Sequence, residues 1–177
     1  MDRLTEIDWS KDAFELLVLG EKQKKLIKAI VRQHSKRDSF DDIIAGKGKG
    51  LIGLFCGRPG CGKTLTAEAV ADLYQVPLYV VTAGELGIEL DKVDKKLADI
   101  FRVAKMWNAV VLIDEAEVFL QQRTASDIKR NALVTIFLRQ LEYYQGILIL
   151  TTNLLDQCDA ALESEFHRIF VAQGRAP

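Results

Sequence analysis

The sequence is poor in the residues that stabilise secreted or metal-dependent small domains. Its 177 residues include only 3 cysteines (Cys56, Cys61 and Cys158) and 2 histidines (His34 and His167). The cysteines are odd in number and lack the spacing of a metal site, which argues against a disulfide framework and favours a reducing compartment. The histidines are too few and too isolated to bind a metal. We therefore expect an intracellular protein, cytoplasmic or nuclear and not secreted.

Long apolar runs and an excess of one charge are also missing. The longest apolar runs, such as residues 146–150, are far shorter than the roughly 20 residues that span a bilayer. The N-terminus carries Asp2, Arg3 and Glu6 where a signal peptide has an apolar core. With 24 Lys and Arg against 25 Asp and Glu, the formal net charge is −1. We therefore expect neither membrane insertion nor a nucleic-acid partner.

Proline is scarce as well, and no proline-rich or low-complexity linker divides the chain. The 3 prolines lie at positions 59, 77 and 177. The composition, 49% hydrophobic and 28% charged, is that of a globular domain large enough to form a core without disulfides. One domain covering residues 1–177 is therefore the simplest prediction.

Apolar runs that suit buried strands alternate with amphipathic segments that suit helices. The predicted strands are residues 51–56, 78–81, 110–113, 147–150 and, with a weaker pattern, 169–171. The predicted helices are residues 21–35, 64–73, 90–107 and 128–144. This alternation predicts an α/β sandwich with a mainly parallel sheet of about five strands, covered on both faces.

The strongest motif is the segment GRPGCGKT at residues 57–64, which fits the phosphate-loop pattern G-x-x-x-x-G-K-S/T. It lies between a predicted strand and a predicted helix, where backbone amides converge on an anion at the helix N-terminus. In this interpretation Lys63 reaches the β- and γ-phosphates, and Thr64 offers its hydroxyl to Mg²⁺. The predicted nucleotide-binding residues are Gly57, Pro59, Gly60, Cys61, Gly62, Lys63, Thr64 and Leu65. The alternative, a glycine-rich turn that binds nothing, is disfavoured by the flanking elements.

Polar side chains follow two further predicted strands. Asp114 and Glu115 come directly after residues 110–113, and Asn153 follows the strand that begins at residue 147. The carboxyl ends of parallel strands share one edge of a sheet. There Asp114 can hold Mg²⁺, Glu115 can activate a water molecule, and Asn153 can reach the γ-phosphate or that water. Taken alone, the acidic pair is also compatible with a simple strand end, and the asparagine with a helix cap or turn.

Together these motifs resemble the classical AAA family of AAA+ ATPases. Residues 57–64 are similar to its Walker A motif, residues 112–116 to its Walker B motif, and Asn153 to its sensor 1. The resemblance covers nearly the whole chain and is greatest to a large group of fungal AAA proteins, through residues 35–51, 64–71 and 141–146. It implies a three-layer α/β/α P-loop fold, the large subdomain of the family, which binds ATP and Mg²⁺.

The resemblance also implies a role for the first twenty residues. In the family, the segment before the first helix lines the adenine pocket, so Leu17, Val18 and Leu19 are candidate base contacts within a lead-in segment. Packing of these side chains in the core is an equally good interpretation. For Cys61, a helix N-terminus favours the thiolate and hence redox control of nucleotide binding, but an inert small residue is the better interpretation.

Three features depart from the family pattern. Glu165 occupies the position of the arginine that a neighbouring subunit normally donates. Arg168 would lie on the same face if the segment were helical, but a strand can also begin there, so this arginine is left unassigned. The loop at residues 84–90 lacks the aromatic residue that faces the pore in unfoldases, and the family's helical lid would follow Pro177. The chain is therefore expected to be an isolated core or a truncated member.

Two functional hypotheses follow from these features. The first is an ATPase that uses Lys63, Glu115 and Asn153 for hydrolysis and works in a homo-oligomeric ring on a protein partner. The second is a nucleotide-responsive binding module with little hydrolysis. A GTPase is disfavoured because residues 153–156 lack the lysine of N-K-x-D. A small-molecule kinase is disfavoured because Glu115 and Asn153 suit the activation of water.

Overall fold

A five-stranded parallel sheet forms the centre of the fold. The computed structural model describes residues 9–10, 12–37, 50–121, 127–154 and 167–170. The strands are β1 (Leu51–Cys56), β2 (Leu78–Thr82), β3 (Val110–Asp114), β4 (Ile147–Thr152) and β5 (His167–Phe170). Their spatial order is β2-β3-β4-β1-β5, and every neighbouring pair is parallel. The predicted parallel sheet of five strands is therefore confirmed, with the last strand beginning at His167 and not at residue 169.

Seven helices connect and cover these strands in the described part of the chain. They are α1 (Ala13–Leu16), α2 (Glu21–Arg37), α3 (Lys63–Tyr74), α4 (Ala83–Leu86), α5 (Leu90–Trp107), α6 (Glu117–Leu120) and α7 (Ile128–Tyr143). The four long helices lie where the amphipathic pattern predicts them. The three four-residue helices were not predicted. None of the described helices is both long and apolar enough to cross a membrane.

Local signals set several of the helix ends. Thr82 and Glu85 form a capping box at the start of α4, because each side chain bonds to the backbone N–H of the other residue. Asp127 caps α7 by accepting a hydrogen bond from the backbone N–H of Arg130. At their C-termini, α3 and α5 end in left-handed residues, Gln75 and Asn108.

The sheet separates two apolar layers, as the alternation of side chains along each strand requires. On β1, Ile52, Leu54 and Cys56 belong to one core cluster, which also contains residues of α5 and three residues of α7, Leu133, Phe137 and Leu141. Leu51 and Phe55 belong to the other cluster, together with buried residues of α1, α2 and α3. The fold is thus a three-layer α/β/α sandwich, as predicted.

Helix α7 is joined to α6 by an aromatic contact and to α5 by polar contacts. The rings of Phe119 and Phe137 stack with their centroids 4.9 Å apart. Arg139 forms an ion pair with Asp94 at 2.8 Å, and the side chain of Gln140 donates to the same carboxylate. The hydrogen bonds from Gln140 and Arg139 hold the pKa of Asp94 below its ordinary value. These contacts fix the helical layer that supports β3 and β4.

The buried ring of Phe137 gives a test of this layer. We predict that Phe137→Ala lowers the free energy of unfolding by about 3–5 kcal/mol, because it leaves a cavity beside Phe119. Phe137 is fully buried, whereas Tyr143 on the same helix is 64% exposed. The matched variant Tyr143→Ala should therefore cost less than about 1 kcal/mol. Urea denaturation followed by circular dichroism measures both, and equal midpoints for the two variants would contradict the assigned packing.

Candidate active site

The loop between β1 and α3 has the backbone of an anion-binding site. Gly60 and Gly62 have positive φ angles of 75° and 86°, which side chains disfavour. Gly62 is the N-cap of α3, and no side chain caps this end. The first helical hydrogen bond runs from the N–H of Thr66 to the carbonyl of Gly62, at 2.8 Å. The N–H groups of residues 63–65 therefore precede the helical ladder, at the positive end of the helix dipole, where an anion binds favourably.

Lys63 is held within this loop and reaches the end of β4. Its side chain is buried, with 8% exposure. The ammonium donates hydrogen bonds to the carbonyl oxygens of Gly57 at 2.9 Å and Arg58 at 3.1 Å, and to Oδ1 of Asn153 at 2.9 Å. The structure thus brings Lys63 and Asn153, which are 90 residues apart in the sequence, into direct contact.

Thr64 and Asp114 also meet across the edge of the sheet. The Thr64 hydroxyl donates to Oδ2 of Asp114 at 3.1 Å. The other oxygen of Asp114, Oδ1, accepts a short hydrogen bond from the hydroxyl of Thr151. A hydroxyl and a carboxylate are the hard oxygen donors that Mg²⁺ prefers. These two side chains therefore fit the cation that accompanies a nucleoside triphosphate.

Glu115 has an unusual backbone. Its φ angle is 54°, in the left-handed region that non-glycine residues seldom adopt. Thr151 holds this conformation from the neighbouring strand, since its hydroxyl accepts the N–H of Glu115 at 3.0 Å and its carbonyl accepts the N–H of Ala116 at 2.9 Å. Strained residues that are held by their surroundings are concentrated at functional sites. The exposed side chain of Glu115 follows Asp114 at the edge where the loop lies.

Two further residues of this site, Thr151 and Glu117, were not predicted from the sequence. Thr151 organises Asp114 and Glu115, and Glu117 contacts the backbone beyond β4. Oε1 of Glu117 accepts the N–H of Asn153 at 2.7 Å and the hydroxyl of Thr152 at 3.4 Å. The threonine pair after the apolar run of β4 was a usable signal for Thr151. No local pattern distinguishes Glu117 from an ordinary surface glutamate.

The predicted adenine contacts occupy different environments. Leu17 is buried at 9% exposure in the cluster that contains Phe14, whereas Val18 is 75% exposed. Leu19 is partly buried and packs against the same cluster. Leu65, on the first turn of α3, is 57% exposed. Core packing therefore accounts for Leu17, and the base contacts stay a prediction.

The structure also describes three of the four remaining predicted features. The thiol of Cys61 lies 4.0 Å from the Lys63 ammonium. Arg168 lies in β5, in register with Leu54 of β1, so the helical alternative for this residue is wrong. Glu165 lies outside the described residues. The loop at residues 84–90 contains the end of α4, a left-handed Gly87 and the 72% exposed side chain of Ile88.

A phosphate loop before α3 and an acidic pair at the end of β3 meet at one edge of a parallel sheet. These features define a P-loop nucleotide-binding domain. The family described as "ATPase family associated with various cellular activities (AAA)" matches residues 53–173. The chain belongs to this family of ATPases.

Curated relatives and solved structures agree with this assignment. ATP-dependent zinc metalloprotease FtsH 3 of Synechocystis is 32% identical over 161 residues, which are 82% of this chain and 25% of that protein. The uncharacterized AAA family ATPase y4kL of Sinorhizobium fredii is 32% identical over 123 residues, which are 66% of this chain and 37% of that protein. The chain thus spans well under half of either relative.

The solved AAA domain of FIGL-1 has the same fold. It superimposes with a TM-score of 0.70 at 24% identity and covers 92% of this chain and 55% of that one. Its complex with ADP gives a TM-score of 0.67 at 26% identity, with 96% and 56% coverage. The α/β P-loop architecture is therefore shared with a known AAA domain.

The contacts of Lys63 lead to a prediction about binding. We expect Lys63→Ala to abolish ATP binding in isothermal titration calorimetry, because the variant loses the cation placed inside the phosphate loop. Lys95→Ala, which removes an exposed lysine of α5, should bind ATP as the unaltered protein does. A thermal melt of each variant checks folding. Normal ATP affinity in a folded Lys63→Ala protein would show that the loop is not the phosphate site.

Proposed function

We propose that this chain binds Mg²⁺-ATP and hydrolyses it as the core of an AAA ATPase that remodels a macromolecular partner in a homo-oligomeric ring. The observation that carries the proposal is the contact of Lys63 with Asn153, beside the contact of Thr64 with Asp114. These two contacts place a cation, an amide, a hydroxyl and a carboxylate around the start of one helix.

Binding of the triphosphate rests on the loop and on Lys63. The N–H groups at the start of α3 can bind an anion without competition from a side-chain cap, and Lys63 is buried beside them. Its bonds to loop carbonyls and to Asn153 are the interactions that phosphate oxygens would replace. The FIGL-1 AAA domain, 26% identical to this chain, has been solved in complex with ADP, which supports nucleotide binding by this chain.

Hydrolysis rests on the neighbouring strand ends. Mg²⁺, when bound, neutralises charge on the phosphates, and Thr64 and Asp114 are the residues that would hold it. Glu115 is proposed to orient and deprotonate the attacking water. Asn153 is proposed to hold the γ-phosphate or that water from the adjacent strand. The strained backbone of Glu115 supports this role, because Thr151 already holds the backbone at this position before a nucleotide binds.

Coupling to a partner rests on the family alone. The name of FtsH 3 describes an ATP-dependent zinc metalloprotease. We propose no protease activity for this chain. Four further points stay predictions: the ring, the remodelled protein, a reducing intracellular compartment, and the resemblance to the fungal group of AAA proteins. Residues 84–90 contain no aromatic residue, which argues against peptide threading as the way in which the partner is remodelled.

One observation favours the second candidate, a nucleotide-responsive binding module. Glu165 stands in the sequence where the family carries its trans arginine, and such an arginine contributes roughly 10³- to 10⁵-fold in rate. A carboxylate cannot stabilise the charge on a transferring phosphoryl group. In that case ATP and ADP would favour different conformations of the protein, and ATP would be hydrolysed only slowly.

A variant of Glu115 separates the two candidates. If the protein is an ATPase, Glu115→Gln should bind ATP normally and lose at least about 99% of phosphate release, since the general base contributes about 10²- to 10⁴-fold. Glu142→Gln, which alters an exposed glutamate of α7, serves as the control and should keep full turnover. Phosphate release is followed with a coupled colorimetric assay. Tight ATP binding with no release from the unaltered protein, and no effect of Glu115→Gln, would favour the binding module.

The concentration dependence of turnover tests the ring. If neighbouring subunits complete the site, phosphate release per subunit should rise with protein concentration and then saturate. Size-exclusion chromatography with light scattering at the same concentrations should show the matching oligomer. A constant nonzero rate per subunit would indicate that each chain hydrolyses ATP by itself.

A further inference from the structure

Glu117 connects the segment after the acidic pair to the residue beyond β4. It is the first residue of α6, and its side chain is half-buried. Its Oε1 atom accepts the backbone N–H of Asn153 at 2.7 Å and lies 3.4 Å from the donating hydroxyl of Thr152. A charge-assisted bond of this length is among the stronger hydrogen bonds in proteins.

The bond from Asn153 to Glu117 fixes the backbone of Asn153, which lies just beyond the last residue of β4 that pairs with β1. The pairing of β4 with β1 ends at Thr152, opposite Cys56. Asn153 is exposed, and its side chain accepts from the Lys63 ammonium at 2.9 Å. Its backbone N–H and its side-chain oxygen are thus fixed by groups of opposite charge, Glu117 on one side and Lys63 on the other.

The two bonds respond differently to a bound nucleotide. The bond to Lys63 competes with phosphate oxygens for the same ammonium, whereas the bond to Glu117 does not involve the phosphate loop. When the ammonium turns to the phosphates, the Glu117 carboxylate still fixes the backbone of Asn153. The side-chain amide would then stay beside the proposed site of the γ-phosphate.

We propose that Glu117 is a positioning residue for the ATPase reaction, which acts by anchoring the backbone of Asn153 so that its amide recognises the γ-phosphate. This inference rests on the function proposed above. It predicts that Glu117 sets the preference for a triphosphate over a diphosphate and the rate of hydrolysis, while phosphate-loop binding common to both nucleotides is unaffected.

Three variants test the proposal. Glu117→Ala removes the acceptor, Glu117→Gln keeps a carbonyl oxygen that can accept the same N–H, and Glu142→Ala removes an exposed glutamate elsewhere. A misplaced group at a reacting centre costs up to roughly 10²-fold, so we expect Glu117→Ala to lower kcat by about tenfold to a hundredfold. Any rise in KM for ATP should be no larger than the loss of affinity for the ATP analogue. Glu117→Gln should recover most of the loss, and Glu142→Ala should show none.

A second readout does not require turnover. Calorimetry with ADP and with a non-hydrolysable ATP analogue, both with Mg²⁺, measures the two affinities. The quantity to compare is the affinity for the ATP analogue divided by the affinity for ADP, here called the affinity ratio. Glu117→Ala should reduce this ratio about as much as Asn153→Ala does, and the double variant should be no worse than Asn153→Ala alone. Thermal melts show that each variant is folded.

The outcomes separate this proposal from the broader one. An unchanged affinity ratio in folded Glu117→Ala, an equal loss in Glu117→Gln, or independent losses in the double variant would each overturn the positioning role and leave the ATPase assignment intact. Failure of the unaltered protein to bind either nucleotide would instead overturn the proposed function, and the role of Glu117 with it. If nucleotide binds without turnover, the affinity ratio decides.

Discussion

The position of β4 between β1 and β3 is the constraint on which the site depends. Neighbouring strands lie about 5 Å apart, so β1 and β3 are separated by roughly 10 Å. The end of β4 fills that gap. Asn153 contacts Lys63 on one side, and Thr151 contacts Asp114 on the other. The end of β4 thus joins the phosphate loop and the acidic pair into one site, in addition to the direct bond from Thr64 to Asp114.

The sequence was sufficient for much of this architecture, for physical reasons. Strands buried on both faces are continuous apolar runs, and long helices on the surface of a sheet have a regular apolar face. The phosphate loop could be predicted because its chemistry is local, with glycine, lysine and threonine at fixed spacing in residues 57–64. The ends of β3 and β4 pointed to Asp114, Glu115 and Asn153 as candidate site residues by the same reasoning.

Other features could not be predicted, because they depend on contacts between distant segments or on very short elements. Helices of four residues, such as α1 and α6, are too short to show a period. The role of Glu117 emerges only once α6 and β4 lie side by side. Leu17 and Val18 are adjacent and similar in the sequence, yet one is buried and the other exposed, because packing against α1 to α3 decides it. Arg168 allowed two readings until its pairing with β1 selected the strand.

The left-handed backbone at position 115 has a consequence for how this domain tolerates change. Glycine or asparagine would adopt that conformation with less strain, by about 1 kcal/mol or more for glycine. Folding stability therefore favours glycine at this position, whereas the proposed activation of water requires the glutamate. Selection of variants for heat resistance alone would therefore replace the glutamate and yield more stable domains that lack the proposed catalytic base.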